Sequence, residues 1–169
     1  PFFILLLFIF SCSMKDEYFI PPVQNFEISK YLGTWYEIAR TDNSFEKGCT
    51  NVTANYQLRT DGGIDVLNQC LKNGKHKQAK GRGYFKDSSN IGSLKVTFFW
   101  PFYGNYYVIY LDETYSHAIV YGGSPKYIWI LSRNEKITKA KLEFLLSKIR
   151  DFKLDPESLI ISDSMKTGA

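Results

Sequence analysis

Between residues 34 and 132, apolar and polar side chains alternate with period two, in short runs rich in β-branched and aromatic residues. The runs 34–41, 50–59, 64–70, 77–85, 94–100, 106–111, 115–121 and 127–132 predict eight strands. Most are separated by turn signals: Asp61-Gly62-Gly63, Asn73-Gly74, Asp87-Ser88-Ser89-Asn90, Gly104-Asn105, Asp112-Glu113 and Gly122-Gly123. After residue 132 the period changes. Leu142, Leu145, Leu146, Ile149 and Phe152 recur at helical spacing, with Thr138 placed to cap the start. Residues 158–162, following Asp155-Pro156, predict a short ninth strand.

A meander of hairpin-linked strands has two open edges unless it curls shut, and closure removes both. The expected fold is therefore all-β: an eight-stranded antiparallel up-and-down β-barrel, with one C-terminal α-helix packed outside and the ninth strand beside it. A barrel of that size has room for one small ligand. Strict alternation directs one set of side chains inward, and the candidate cavity residues are Glu37, Ala39, Ala54, Tyr56, Leu58, Val96, Phe98, Trp100, Tyr127 and Trp129. Ala39, Ala54, Ala79, Gly81 and Gly83 leave space among the larger ones.

Composition supports a lined cavity. The 169 residues suit one domain, and aromatics make up 17% of them against 22% charged residues. The formal net charge of +4 comes without a basic run or nucleic-acid motif, so no nucleic-acid partner is expected.

The N-terminus is a different material. Phe2 to Phe10 is unbroken apolar sequence, too short for a bilayer span of roughly 20 residues but suited to the hydrophobic region of an export signal. With no initiator Met or positive segment before Pro1, a few residues are expected to precede it. Ile9-Phe10-Ser11-Cys12-Ser13 resembles a bacterial lipobox, although Phe10 is bulkier than usual for its slot. The resemblance implies lipidation of Cys12, and Ser13 in place of an aspartate implies sorting to the outer membrane. The expected organisation is a signal peptide at 1–11, a tether at 12–24, a barrel domain at 25–162 and a tail at 163–169. With Cys12 lipidated, Cys49 and Cys70 remain to pair, closing a loop of about 20 residues worth roughly 3 kcal/mol in the chain-entropy model. No histidine stands near them at metal spacing, so no metal site is expected.

Gly33-Thr34-Trp35 opening the first strand, Asp112-Glu113-Thr114-Tyr115 before the seventh, and Arg133 closing Trp129-Ile130-Leu131-Ser132-Arg133 resemble the three short characteristic regions of the lipocalins. The resemblance covers residues 25–162. It implies a barrel that binds a small lipophilic ligand without a cofactor, with Gly33, Trp35 and Arg133 as its structural base. An Arg133 guanidinium over the Trp35 indole would contribute on the order of 0.5–2 kcal/mol and plug the narrow end.

Alternate loops of a meander share an end, so the connections at 42–49, 72–76, 101–105 and 122–126 are expected around the mouth. They carry Lys47, Lys72, Lys75 and Lys126 against Asp42 and Glu46, whereas the opposite end carries Asp61, Asp87, Asp112 and Glu113. A rim of Lys72, Lys75 and Lys126 above an apolar cavity suits an amphiphile with its tail inside and its carboxylate or phosphate outside. The expected partners are thus a fatty acid or lysophospholipid, and a membrane reached through Cys12, with the chain facing the periplasm. Two alternatives remain open: an enzyme acting on a lipophilic substrate, or a haem or tetrapyrrole carrier with His117 as axial ligand. For inward Glu37, a hydrogen bond to a tyrosine is expected rather than a catalytic role.

Overall fold

The computed structural model describes residues 19–166. Eight antiparallel strands follow in chain order: β1 (Gly33–Thr41), β2 (Cys49–Leu58), β3 (Ile64–Lys72), β4 (Lys75–Phe85), β5 (Ser93–Phe99), β6 (Phe102–Leu111), β7 (His117–Tyr121) and β8 (Ile128–Ser132). Each pairs with its successor, and β1 pairs with both β2 and β8, which closes the barrel. A helix α1 (Ile28–Tyr31) precedes the barrel, α2 (Lys139–Asp151) follows it, and β9 (Leu159–Ile161) adds to the outer edge of β1 before a last turn of helix, α3 (Asp163–Lys166).

One turn falls elsewhere than the sequence pattern suggests. Gly104 and Asn105 lie within β6, opposite Val96 and Lys95, and the hairpin turns at Trp100-Pro101. Proline has no N–H for the ladder, so the chain reverses there more readily than at a glycine that a strand can hold.

Two apolar clusters result. The interior one joins Trp35, Tyr56, Val66, Val108, Val120 and Leu131 with Phe26 and Tyr31 from the approach segment. The exterior one lies under α2, where Leu145 and Ile149 pack on Ile38, Ile119, Ile128 and Ile130. The predicted stripe is thus the buried face of α2, and Thr138 Oγ1 accepts from Lys141 N at 3.2 Å as the cap. Residues 19–24, within the expected tether, already lie against the barrel: Ile20 is buried and Val23 bonds the Val108 carbonyl. Met165, in the expected tail, packs on the exterior cluster. The signal region, the lipobox and Cys12 lie outside the described residues.

The closed end is built around the anticipated pair. Arg133 Cζ lies 4.0 Å from the Trp35 ring centroid. Its two terminal nitrogens donate to the carbonyls of Thr34 and Lys30, each at 2.8 Å, while Trp35 Nε1 donates to Tyr31 O at 2.8 Å. One guanidinium thereby ties β8 to β1 and to α1. Gly33 has φ of +90°, and a Cβ there would stand 3.5 Å from Arg133 Nη1. The position is reserved for glycine by its backbone more than by crowding.

Arg133→Lys keeps the charge but loses the planar fork and one of the carbonyl bonds, and we expect it to lower unfolding free energy by about 1–3 kcal/mol. Urea denaturation followed by tryptophan fluorescence measures this, and an unchanged midpoint would contradict the role.

Candidate functional site

The strands define two ends. β1 runs from Gly33 at the sealed floor to Thr41 at the mouth, so the connections 42–48, 73–74, 100–101 and 122–127 surround the opening. A disulfide joins Cys49 to Cys70 across the mouth ends of β2 and β3.

Halfway along β1 the register against β8 slips, from Glu37 opposite Leu131 to Ala39 opposite Ile130, with Ile38 as the extra residue. Glu37 faces inward as expected. Beyond the bulge the faces exchange: Ala39 joins the exterior cluster, and Arg40, opposite Trp129, faces in. Ala39 is therefore not a cavity residue, and Arg40, which strict alternation places outside, is one.

Arg40 organises the mouth. Its Nη1 donates to Glu37 Oε1 at 2.7 Å, and Nη2 reaches the carbonyls of Glu46 and Cys49 at 3.2 and 3.4 Å. Glu46 turns inward from the 42–48 loop and accepts from Asn43 Nδ2 at 2.5 Å and from Trp129 Nε1 at 3.1 Å. Phe45, 61% exposed, stacks on Tyr127 and approaches Trp129, with centroids at 6.1 and 6.4 Å. The loop is thus held to the inner wall of β8, and Glu37's partner is an arginine rather than a tyrosine.

Among the described residues two interior polar atoms have no hydrogen-bond partner. Arg40 Nε is buried and lies 3.8 Å from Glu46 Oε2, too far for a hydrogen bond, and Asn68 Oδ1 is buried without a donor. Asn68 stands in a row fixed by register, Trp35 opposite Ala54, Ala54 opposite Asn68, and Asn68 opposite Ala79. These residues share one face, which runs from the fully buried Trp35 to the exposed Ala79. Nearer the floor, Tyr31, Tyr106 and Tyr56 are linked through their hydroxyls, with Tyr106 2.8 Å from each of the others. Burial pushes the Tyr56 hydroxyl up to about 12, so the chain stays neutral.

Other expected cavity residues divide. Ala54, Val96 and Trp129 are part-buried members of the interior cluster, and Tyr56 is buried in it. Leu58 is 53% exposed in the last pair of the β2–β3 hairpin, beyond the start of β1, so nothing covers it. Phe98 and Trp100 lie past Arg82 opposite Thr97, where the β4–β5 ladder ends; Phe98 sits over Gly81 at the mouth edge, and Trp100 projects from the hairpin, 78% exposed. Tyr127 is a mouth residue. Lys72 and Lys75 share the β3–β4 hairpin, while Lys126 stands on the β7–β8 connection, so the three lie on two different connections at the mouth end.

His117 lies outside the barrel. Its neighbour Ala118 belongs to the interior cluster, and its Nδ1 is 2.7 Å from Asp112 Oδ2. Burial acts to raise the Asp112 carboxyl, but the hydrogen bonds from His117 and from the amides of Ser116 and His117 hold it below its ordinary value. The pair braces the turn before β7 and offers nothing to an interior ligand. Among the described residues no group of His, Cys, Asp and Glu could hold a metal ion.

Comparison with protein families agrees with this geometry: residues 26–164 match the lipocalin-like domain model, and the chain belongs to the lipocalin family. It is 45% identical over 144 residues to the outer membrane lipoprotein Blc of Vibrio cholerae serotype O1, covering 83% of this chain and 84% of that one. To apolipoprotein D of Bos taurus it is 31% identical, over 86% of this chain and 81% of the other. Among solved structures, insecticyanin from the tobacco hornworm Manduca sexta matches with a TM-score of 0.70 over 86% of this chain and 84% of its own, at 22% identity, which speaks for the fold alone.

Burial, reinforced by nearby Glu46 and opposed by Arg40, raises the Glu37 carboxyl from 4.5 to about 7. The short contact with Arg40 favours the charged form, but desolvation outweighs it. The folded state thus holds a proton that the unfolded chain releases near its ordinary value, so this contribution to stability is full below about pH 4.5 and lost as pH rises to about 7. Glu37→Gln is expected to flatten that part of the stability curve. Identical pH profiles for the two proteins in chemical denaturation would contradict this assignment.

Proposed function

We propose that this chain is a binding protein rather than an enzyme, and that it stores or carries amphiphilic lipids, fatty acids or lysophospholipids, in the cell envelope. On this reading Cys12 carries the lipid anchor, the outer membrane is the site of attachment, and the barrel faces the periplasm. The observation that carries the ligand class is the row from Trp35 through Ala54 and Asn68 to Ala79, an interior surface sealed at one end and exposed at the other. Small residues along it leave width for an acyl chain.

The polar atoms support the same orientation. Arg40 Nε is an unmet donor on the inward face of β1, one residue before that strand ends at the mouth, where a carboxylate or ester oxygen can use it. The Glu37 carboxyl, although raised to about 7, is turned onto Arg40, and the Tyr31–Tyr106–Tyr56 hydroxyls bond one another, so neither offers a free acid or base to a ligand. The envelope location is supported by the name of the Vibrio cholerae relative, an outer membrane lipoprotein.

The test is a titration with a fluorescent fatty acid. The chain should bind it, and changing Lys72, Lys75 and Lys126 together to Gln should weaken affinity by about three- to tenfold with a shallower salt dependence. Unchanged affinity would remove the rim from headgroup recognition. Absence of binding by the unaltered chain to either lipid class would remove the proposed ligand altogether.

A further inference from the structure

At the mouth two carboxylates face a single guanidinium. Glu37 Oε1 accepts from Arg40 Nη1 at 2.7 Å, and Glu46 Oε2 stands 3.8 Å from Arg40 Nε. The three side chains are 5%, 9% and 12% exposed for Glu37, Arg40 and Glu46, so water screens them little. With every group ionised the cluster carries one negative charge in excess. Glu46 has further donors in Asn43 Nδ2 and Trp129 Nε1, whereas Glu37 is turned onto Arg40.

Glu37 also has a way to the outside that does not pass through the mouth. The ladder between β1 and β2 ends at Tyr36 opposite Thr53. Past that pair Glu37 lines a cleft of about 120 Å³ with Asn51, Val52, Glu135 and Ser162. Asn51 and Glu135 are exposed, so a proton can reach Glu37 through the wall while a ligand fills the mouth.

The surroundings of Glu37 narrow the charges that act on it. Arg40 lies on its own strand, Glu46 comes from the 42–48 loop, and Glu135 stands across the cleft. β8 meets β1 here with Leu131 and Trp129, which do not titrate, and Tyr56 on β2 stays neutral. The edge beyond β9 contributes Ser162.

An anionic headgroup drawn to Arg40 Nε would enter as a third anion on one cation. Its approach is opposed least when one carboxylate is neutral, and Glu37, more deeply buried than Glu46, is the one to take the proton. An uncharged headgroup makes no such demand.

We propose that Glu37 competes with the ligand for Arg40 and so sets the class of headgroup the mouth accepts: an anionic lipid binds with uptake of one proton at Glu37, an uncharged lipid without. The proton comes from solvent by way of the cleft and rests on the carboxyl oxygen turned away from Arg40. The other oxygen still accepts from Nη1, so the guanidinium keeps its place while its charge turns to the ligand. This rests on the reading of the barrel as a lipid carrier and adds a regulation to it. Anionic lipid is held more tightly in acid and released as pH rises, whereas uncharged lipid is held alike throughout.

The experiment is isothermal titration calorimetry on the full chain, in pairs of buffers with different ionisation enthalpies, which counts protons taken up. The ligands are lysophosphatidylglycerol, whose phosphodiester stays ionised, and a monoacylglycerol of the same chain length, each below its micelle concentration. At about pH 8 the anionic lipid should take up close to one proton per molecule bound, and at about pH 6 few. Its affinity should fall about tenfold between the two, as follows from a Glu37 carboxyl at about 7. The monoacylglycerol should bind without uptake and equally at both. Glu37→Gln, its fold checked by circular dichroism, should abolish the uptake and bring the affinity for the anionic lipid at about pH 8 to its value at about pH 6. Binding of lysophosphatidylglycerol without proton uptake in the unaltered chain overturns the proposal, as does equal uptake with the monoacylglycerol. Uptake that survives Glu37→Gln also overturns it, since the proton then belongs to another group, such as His76 on the mouth hairpin. Failure to bind either lipid removes the carriage reading and this inference with it, an outcome distinct from binding without uptake.

Discussion

One extra residue in β1 sets the conditions for most of the molecule. This strand must close the barrel against β2 and β8 and also carry β9 on its outer edge, and the bulge at Ile38 lets it do so. Before the bulge Trp35 and Glu37 face inward; after it Arg40 does, while Ala39 turns out to meet Ile161 and the helix-covered exterior. Bulges bend and twist a strand locally, and here the change of face places a guanidinium inside the mouth. Without it, the loop from Asp42 to Gly48 would lose the cation around which Glu37 and Glu46 are arranged.

The barrel is accordingly graded from floor to mouth. At the floor, Arg133 covers Trp35 and its donors meet backbone carbonyls, leaving no charge facing the cavity unsatisfied. Above it three tyrosines bond one another. At the mouth, by contrast, Arg40 Nε is buried without an acceptor, and Asn68 Oδ1 on the same interior surface lacks a donor. Buried polar atoms in folded proteins are normally paired, so those left open on this wall support the proposed place for a ligand's polar atoms.

Much of this was legible in the sequence, and the reasons are local. The eight strands, the helix with its Thr138 cap and the ninth strand follow from periodicity, and the Trp35–Arg133 base and the Cys49–Cys70 pair followed from motif and cysteine count. Period-two extrapolation failed at Ala39 and Arg40, because nothing in Glu37-Ile38-Ala39 announces an extra residue. It failed again at Leu58, Phe98 and Trp100, where the direction of the side chain is less important than the end of the neighbouring strand. Gly104-Asn105 outweighed Pro101 as a turn signal, although only proline denies the ladder a donor. Phe45, Tyr31 and Tyr106 escaped notice because the rings and hydroxyls they meet stand far away in the chain, and Glu46 was placed at the mouth without its contacts to Arg40 and Trp129.

The central claim is that the graded interior receives a single amphiphile, its tail toward Trp35 and its polar group near Arg40. Native mass spectrometry of the purified protein, followed by extraction of whatever it holds, tests that claim most directly. The account predicts one lipid per barrel, identified on extraction as a fatty acid or lysophospholipid. A barrel that stays at its unliganded mass, even after incubation with both lipid classes, would contradict it.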